Sequence, residues 1–156
     1  MKKSKFRLLT YALIILFTGT FLMAFVTPQD KKMGGPWDIP AKNKAMKNEY
    51  ADDASLLKVG KMLYSKHCKS CHGNLGKGDG PKAASLDTGI RSFDSADFQA
   101  QSDGVIYYQS FIGRDEMPNF EKKIPDDEDR WAIVNYMRSL YYMLILIHKA
   151  IFLFLY

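Results

Sequence analysis

The sequence has no βαβ pattern, few strand-like runs, only two cysteines and three histidines, and no basic stripe in its middle. Each absence excludes something. Without alternating strands and helices there is no frame for a thioredoxin-like redox site, the usual host of a Cys-x-x-Cys pair. A structural zinc site needs four ligands, and the only candidates are His67, Cys68, Cys71, His72 and the distant His148. Neighbouring residues rarely converge on one metal. The glycine-rich run Gly73 to Pro81 lacks the G-K-[ST] ending of a phosphate loop. The formal charge of +5 comes from the ends: Lys2, Lys3, Lys5 and Arg7 precede the first apolar run, and Lys149 lies in the tail. Setting those five aside leaves 17 basic residues against 17 acidic ones. A nucleic-acid footprint would sit on the domain itself, so no nucleic-acid partner is expected.

What is present centres on Cys68-Lys69-Ser70-Cys71-His72. Two cysteines three apart with a histidine after the second is the spacing of c-type haem attachment. Each thiol adds to one vinyl group of the porphyrin, so the sulfurs must lie about one helical turn apart. The adjacent imidazole then falls beneath the iron as its proximal ligand. The motif uses both cysteines of the chain, and there is one copy of it, which argues against a dihaem peroxidase.

Residues 1–26 read as a basic n-region followed by nineteen uncharged residues, Leu8 to Val26. As a helix these would span about 28 Å, close to the hydrocarbon thickness of a bilayer. The exit, Leu22-Met23-Ala24-Phe25-Val26-Thr27, lacks the small-residue pattern of a cleavage site. An uncleaved signal anchor is favoured over a cleaved signal peptide, and either one exports the remainder of the chain. Residues 27–52, with Gly34-Gly35-Pro36 and Pro40, read as a linker. Its alternatives are a flexible tether with a reach of about 25–30 Å and a wrapping segment pinned by Trp37 and Ile39.

From Asp53 to Lys66 the pattern turns helical. Leu56, Gly60, Leu63 and His67 fall on one face, with Leu57 and Tyr64 widening it. Glycine costs about 1 kcal/mol inside a helix, so Gly60 predicts the close approach of another helix. Gly73 to Pro81 is expected to fold tightly over the proximal side, and residues 82–101 look irregular. Ser102-Asp103 caps a short helix through Phe111, closed by Gly113. The last helix opens on Pro125-Asp126-Asp127-Glu128-Asp129, acidic residues suited to a helix start. Trp131, Val134, Met137 or Arg138, and Tyr141 then form a core stripe, packing across the first helix at Gly60. Residues 141–156 form an apolar tail interrupted by His148-Lys149. It reads as a half-embedded segment, a contact with a partner, or a non-native extension.

The iron needs a sixth ligand or an open site. Met117 sits in the loop Gly113-Arg114-Asp115-Glu116-Met117-Pro118-Asn119-Phe120, 45 residues after His72, from where it can return over the opposite haem face. His67, held beside Cys68, and His148, in the tail, are its rivals.

By these features the chain resembles the class I monohaem cytochromes c of bacterial respiratory chains. The resemblance rests on Cys68-x-x-Cys71-His72-Gly73, Gly78-Asp79-Gly80-Pro81, Met117-Pro118-x-Phe120 and Trp131-x-x-Val134-x-Tyr136-Met137-Arg138, over about residues 53–140. It implies an all-α cytochrome c fold of three to five helices around one covalently bound haem, with N- and C-terminal helices crossing. It also implies thioether bonds at Cys68 and Cys71, axial ligation by His72 and Met117, and a hydrogen bond from the proximal imidazole to the Pro81 carbonyl.

The domain organisation read from the sequence is thus an anchor or signal over 1–26, a linker over 27–52, a haem domain over 53–140 and a tail over 141–156. The expected function is one-electron transfer in a respiratory chain, without catalysis of its own. The iron cycles between Fe(II) and Fe(III). The haem domain would lie on the periplasmic side of the cytoplasmic membrane, held by residues 8–26, between a quinol-oxidising complex and a terminal oxidase. Between Lys58 and Lys82 lie six lysines and one acid, Asp79; from Asp115 to Asp129 lie seven acids against Lys122 and Lys123. That asymmetry would orient the molecule toward an acidic partner, or would be two ordinary solvated surfaces. The other classes are a haem-bearing structural subunit of a larger complex, and an open-site haem enzyme or ligand sensor.

Overall fold

The computed structural model describes residues 31–155, those beyond Tyr142 as helix backbone. The expected anchor over residues 1–26 lies outside the described residues, as do residues 27–30 and Tyr156. The described elements are helices: α1 (Ala41–Lys44), α2 (Leu56–His67), α3 (Lys69–His72), a 3-10 turn (Ala83–Ser85), α4 (Ala96–Gln99), α5 (Asp103–Ile112) and α6 (Asp127–Leu155). Among the described residues there is no strand, and two isolated bridges, Met33 with Gly89 and Arg114 with Met117, are the only β pairing. None of the described helices is long and apolar enough to cross a membrane.

The core is the crossing of α2 over α6. Leu56, Gly60 and Tyr64, spaced four apart, form the buried line of α2. A Cβ added to Gly60 would lie 2.0 Å from the Ala132 carbonyl oxygen and 3.0 Å from Tyr136 Cβ. The two backbones therefore approach to a distance only glycine permits, as the sequence predicted. Leu57 does not widen this face. It stands about 100° around the helix from Leu56 and is 37% exposed.

Along α6 every residue from Trp131 to Met137 is buried, more than one amphipathic stripe, because three neighbours enclose the helix. On one side is α2. On another is α5, where the Tyr107 and Trp131 rings lie 4.5 Å apart between centroids. On the third side residues 48–50 meet Asn135: its Nδ2 donates to the Tyr50 carbonyl at 2.7 Å, and its Oδ1 accepts from Asn48 Nδ2 at 2.7 Å. A buried amide left without such partners would be costly. Arg138 adds a clamp, pairing with Asp103 at 2.9 Å and donating to the Gln99 and Gln101 carbonyls.

The helix ends follow their local sequence. Ser102 Oγ accepts from Val105 N at 3.4 Å, and Gly113 ends α5 at φ 69°, both as expected. At the start of α6, Asp126 accepts from Glu128 N at 2.9 Å, and Asp127 accepts from Trp131 Nε1 at 3.0 Å and from the Tyr107 hydroxyl. The helix then runs past the expected boundary at residue 140 to Leu155.

Residues 31–52 lie on the domain. Ile39 is buried, Lys31 Nζ donates to the Ala83 carbonyl at 2.9 Å, the Ala84 carbonyl at 2.8 Å and the Leu86 carbonyl, and Trp37 lies under the Arg114 guanidinium at 4.3 Å.

Candidate haem-attachment site

The Cys-x-x-Cys-His turn is α3, set directly after α2. Cys68 N donates to the Tyr64 carbonyl at 2.8 Å, and His72 N donates to the Cys68 carbonyl at 3.0 Å. These bonds hold Cys68, Cys71 and His72 on a single turn, with both thiols half-buried and unpaired. The glycine-rich run then folds back onto the turn. Gly78 N donates to the His72 carbonyl at 2.9 Å, Gly80 N to Cys71 at 3.1 Å and Lys82 N to Ser70 at 2.8 Å. From the other side the buried Tyr64 hydroxyl donates to the Gly73 carbonyl at 2.7 Å. The main-chain acceptors of the motif are thus used, and its side chains are left for chemistry.

The His72 ring stacks on buried Phe93, with centroids 5.0 Å apart and planes 27° from parallel. Burial pushes its pKa down to about 4, so the imidazole is neutral, the form that ligates a metal. Its Nδ1 is buried without a hydrogen-bond partner, so the bond expected to the Pro81 carbonyl is absent. Burial, and secondarily Cys71, pushes the Cys68 thiol up to about 12. Two unpaired thiols one turn apart suit covalent attachment, and a half-buried neutral imidazole beside them suits ligation, so the residues fit the group.

Met117 lies on the loop between α5 and α6 and is half-buried. The loop is a tight one. Met117 N donates to the Arg114 carbonyl at 2.9 Å, Asp115 takes φ 51°, and a Cβ on Gly113 would come within 2.4 Å of the Met117 carbonyl oxygen. At its far end Phe120 N donates to the Phe111 carbonyl at 2.9 Å, and the Phe120 ring packs edge-on to His67 at 6.1 Å. The loop therefore abuts the end of α2 that leads into the cysteine turn. Of the rivals for the sixth position, His67 is half-buried, its pKa lowered first by burial and then by Lys66 and Lys123; the side chain of His148 lies outside the described residues.

Two contributions to the site were not read from the sequence. Phe93 sits in an irregular stretch with no periodicity to mark it. Arg114 and Glu116 stand just before Met117, and charged side chains packed into so short a turn are a signal of anchoring that the sequence does carry. Glu116 accepts from Asp87 N at 2.9 Å, Thr88 N at 2.9 Å and Thr88 Oγ1 at 2.7 Å.

No curated protein matches the chain. The family model described as Cytochrome c matches residues 57–141, which spans α2, the cysteine turn, the methionine loop and the crossing part of α6. Helical fold, attachment turn and family match agree: the chain belongs to the cytochrome c family, holds a covalently bound c-type haem with its iron, and serves haem-based electron transfer.

Proposed function

We propose that the chain is a class I monohaem carrier of single electrons, tethered to the cytoplasmic membrane with its haem domain on the periplasmic side and serving a respiratory chain. The observation that carries this reading is the cysteine turn, where two free thiols and a half-buried neutral imidazole share one turn of helix. Bound there, the haem supplies the Fe(III)/Fe(II) couple. Cys68 and Cys71 would hold it covalently, His72 and Met117 would ligate its iron, and Phe93, stacked on the His72 ring, would shield the imidazole from water. An iron so ligated would have no place for a substrate, which favours a carrier over an enzyme. Methionine opposite histidine raises the potential, as suits delivery to a terminal oxidase from a quinol-oxidising complex. Residues 8–26 supply the tether. Lys58, Lys61, Lys66, Lys69, Lys77 and Lys82 are all exposed, which supports their use as a face for an acidic partner.

The test is the absorption spectrum of the haem-loaded protein. The oxidised form is expected to show the weak far-red band of a methionine–Fe(III) bond, lost in Met117→Ala. If that band is missing and the reduced protein takes up carbon monoxide readily, the iron is open and the carrier reading fails.

A further inference from the structure

The methionine loop is held by the segment that precedes the haem domain. Arg114, three residues before Met117, donates to the Pro36 carbonyl at 2.7 Å and to the Gly35 carbonyl, while its guanidinium lies over the Trp37 ring at 4.3 Å. Asp115 stands 3.8 Å away. The same segment is also fixed to residues 83–89. Gly89 N donates to the Lys32 carbonyl at 3.1 Å, Met33 bridges to Gly89, and Lys31 Nζ reaches the Ala83, Ala84 and Leu86 carbonyls. Glu116 in turn grips residues 87–88. Segments 31–37, 83–89 and 114–117 thus tie one another down at the loop that carries the one methionine assigned to the iron. None of these contacts is needed for the α2–α6 core. They differ from ordinary surface pairs in being convergent: a planar guanidinium uses two donors and one face on three successive residues.

We propose that Arg114 and Trp37 are positioning residues for Met117, and that residues 31–37 act as a strap that keeps the methionine on the iron. This rests on the reading of Met117 as the sixth ligand. The strap is continuous in sequence with the apolar run proposed as the tether, so whatever pulls the strap from Arg114 weakens the iron–methionine bond and leaves the iron open to an outside ligand.

The experiment is cyanide binding to the oxidised, haem-loaded full chain, alongside the far-red band. Cyanide takes the sixth position only after Met117 leaves it, so the rate reports how firmly the methionine is held. Arg114→Ala is expected to bind cyanide about ten- to hundredfold faster than wild type, and Trp37→Ala about three- to fivefold faster. Because Trp37 acts through Arg114, the double variant should be no faster than Arg114→Ala alone, a non-additivity that general destabilisation would not produce. Ser65→Ala, an exposed change on α2, should match wild type. If Arg114→Ala fails to hold haem, Trp37→Ala carries the test alone. A wild type with the far-red band and variants that bind cyanide at its rate would overturn the strap and leave the ligation reading intact. A wild type without the band would overturn the ligation reading, and the strap with it.

Discussion

At the scale of single residues, the structure ranks positions by what their atoms have left to do. His72 spends its backbone on Cys68 and Gly78 and keeps its imidazole free of hydrogen bonds at Nδ1, as suits the ligand role proposed for it. Gly60 contributes no side chain, and its value is the room it leaves for the Ala132 carbonyl. Alanine is the better helix former by about 1 kcal/mol, yet Gly60→Ala is expected to destabilise the haem-loaded protein by about 1–3 kcal/mol through overpacking. Denaturant unfolding reads the sign directly, and a stabilised variant would refute the crossing geometry. Such residues were legible in the sequence because their reasons are local or stereochemical. Cysteine spacing reports a helical turn, and a glycine inside an apolar helix reports a close neighbour. Phe93 was not legible, since an aromatic in a stretch without periodicity gives no sign of which ring it will stack on.

At the scale of elements, side chains meet free backbone groups at the starts of α4, α5 and α6 and just ahead of α2, and the acidic ones among them are where pH enters. Asp53, ahead of α2, accepts from the Ser55 hydroxyl at 2.5 Å and from Ser55 N at 2.9 Å. Those bonds, the hydroxyl's first, hold its carboxyl below the usual carboxylate range. A carboxylate depressed in the folded state contributes stability above its unfolded pKa, and loses it as pH falls through the folded one. Asp53→Ala is therefore expected to unfold at lower urea than wild type near neutrality, with the gap closing as pH falls through the lowered pKa. A gap independent of pH would show that the carboxylate does not act through its bonds to Ser55. The ends of α5 and the start of α6 were equally readable, because serine, glycine and aspartate act on groups one to four residues away. The path of residues 31–52 was not. Its anchors on the domain are largely main-chain carbonyls, such as those taking the Lys31 ammonium and the Arg114 guanidinium, and a carbonyl has no sequence signature. Leu57 shows the limit of periodicity itself: its apolar character fitted a widened face, yet its position turned it to solvent.

At the scale of the whole molecule, charge is segregated while the fold is not. The six lysines from Lys58 to Lys82 are exposed, and none joins an ion pair among the described residues. If they guide docking, electron transfer to an acidic redox partner should slow as ionic strength rises toward and beyond 0.15 M, where the screening length is about 8 Å, and Lys66→Gln or Lys69→Gln should flatten that dependence. Rates indifferent to salt would leave the patch as ordinary solvated surface. The helix crossing also sets an order of events. Gly60 meets Ala132 across 72 residues of chain, and closing a loop of that length costs about 4 kcal/mol of entropy. During synthesis α2 emerges long before the helix it packs against. Until α6 arrives, Gly60 is a liability, weakening its own helix by about 1 kcal/mol relative to alanine. The residue that lets the two helices meet leaves the first of them loosest while it waits.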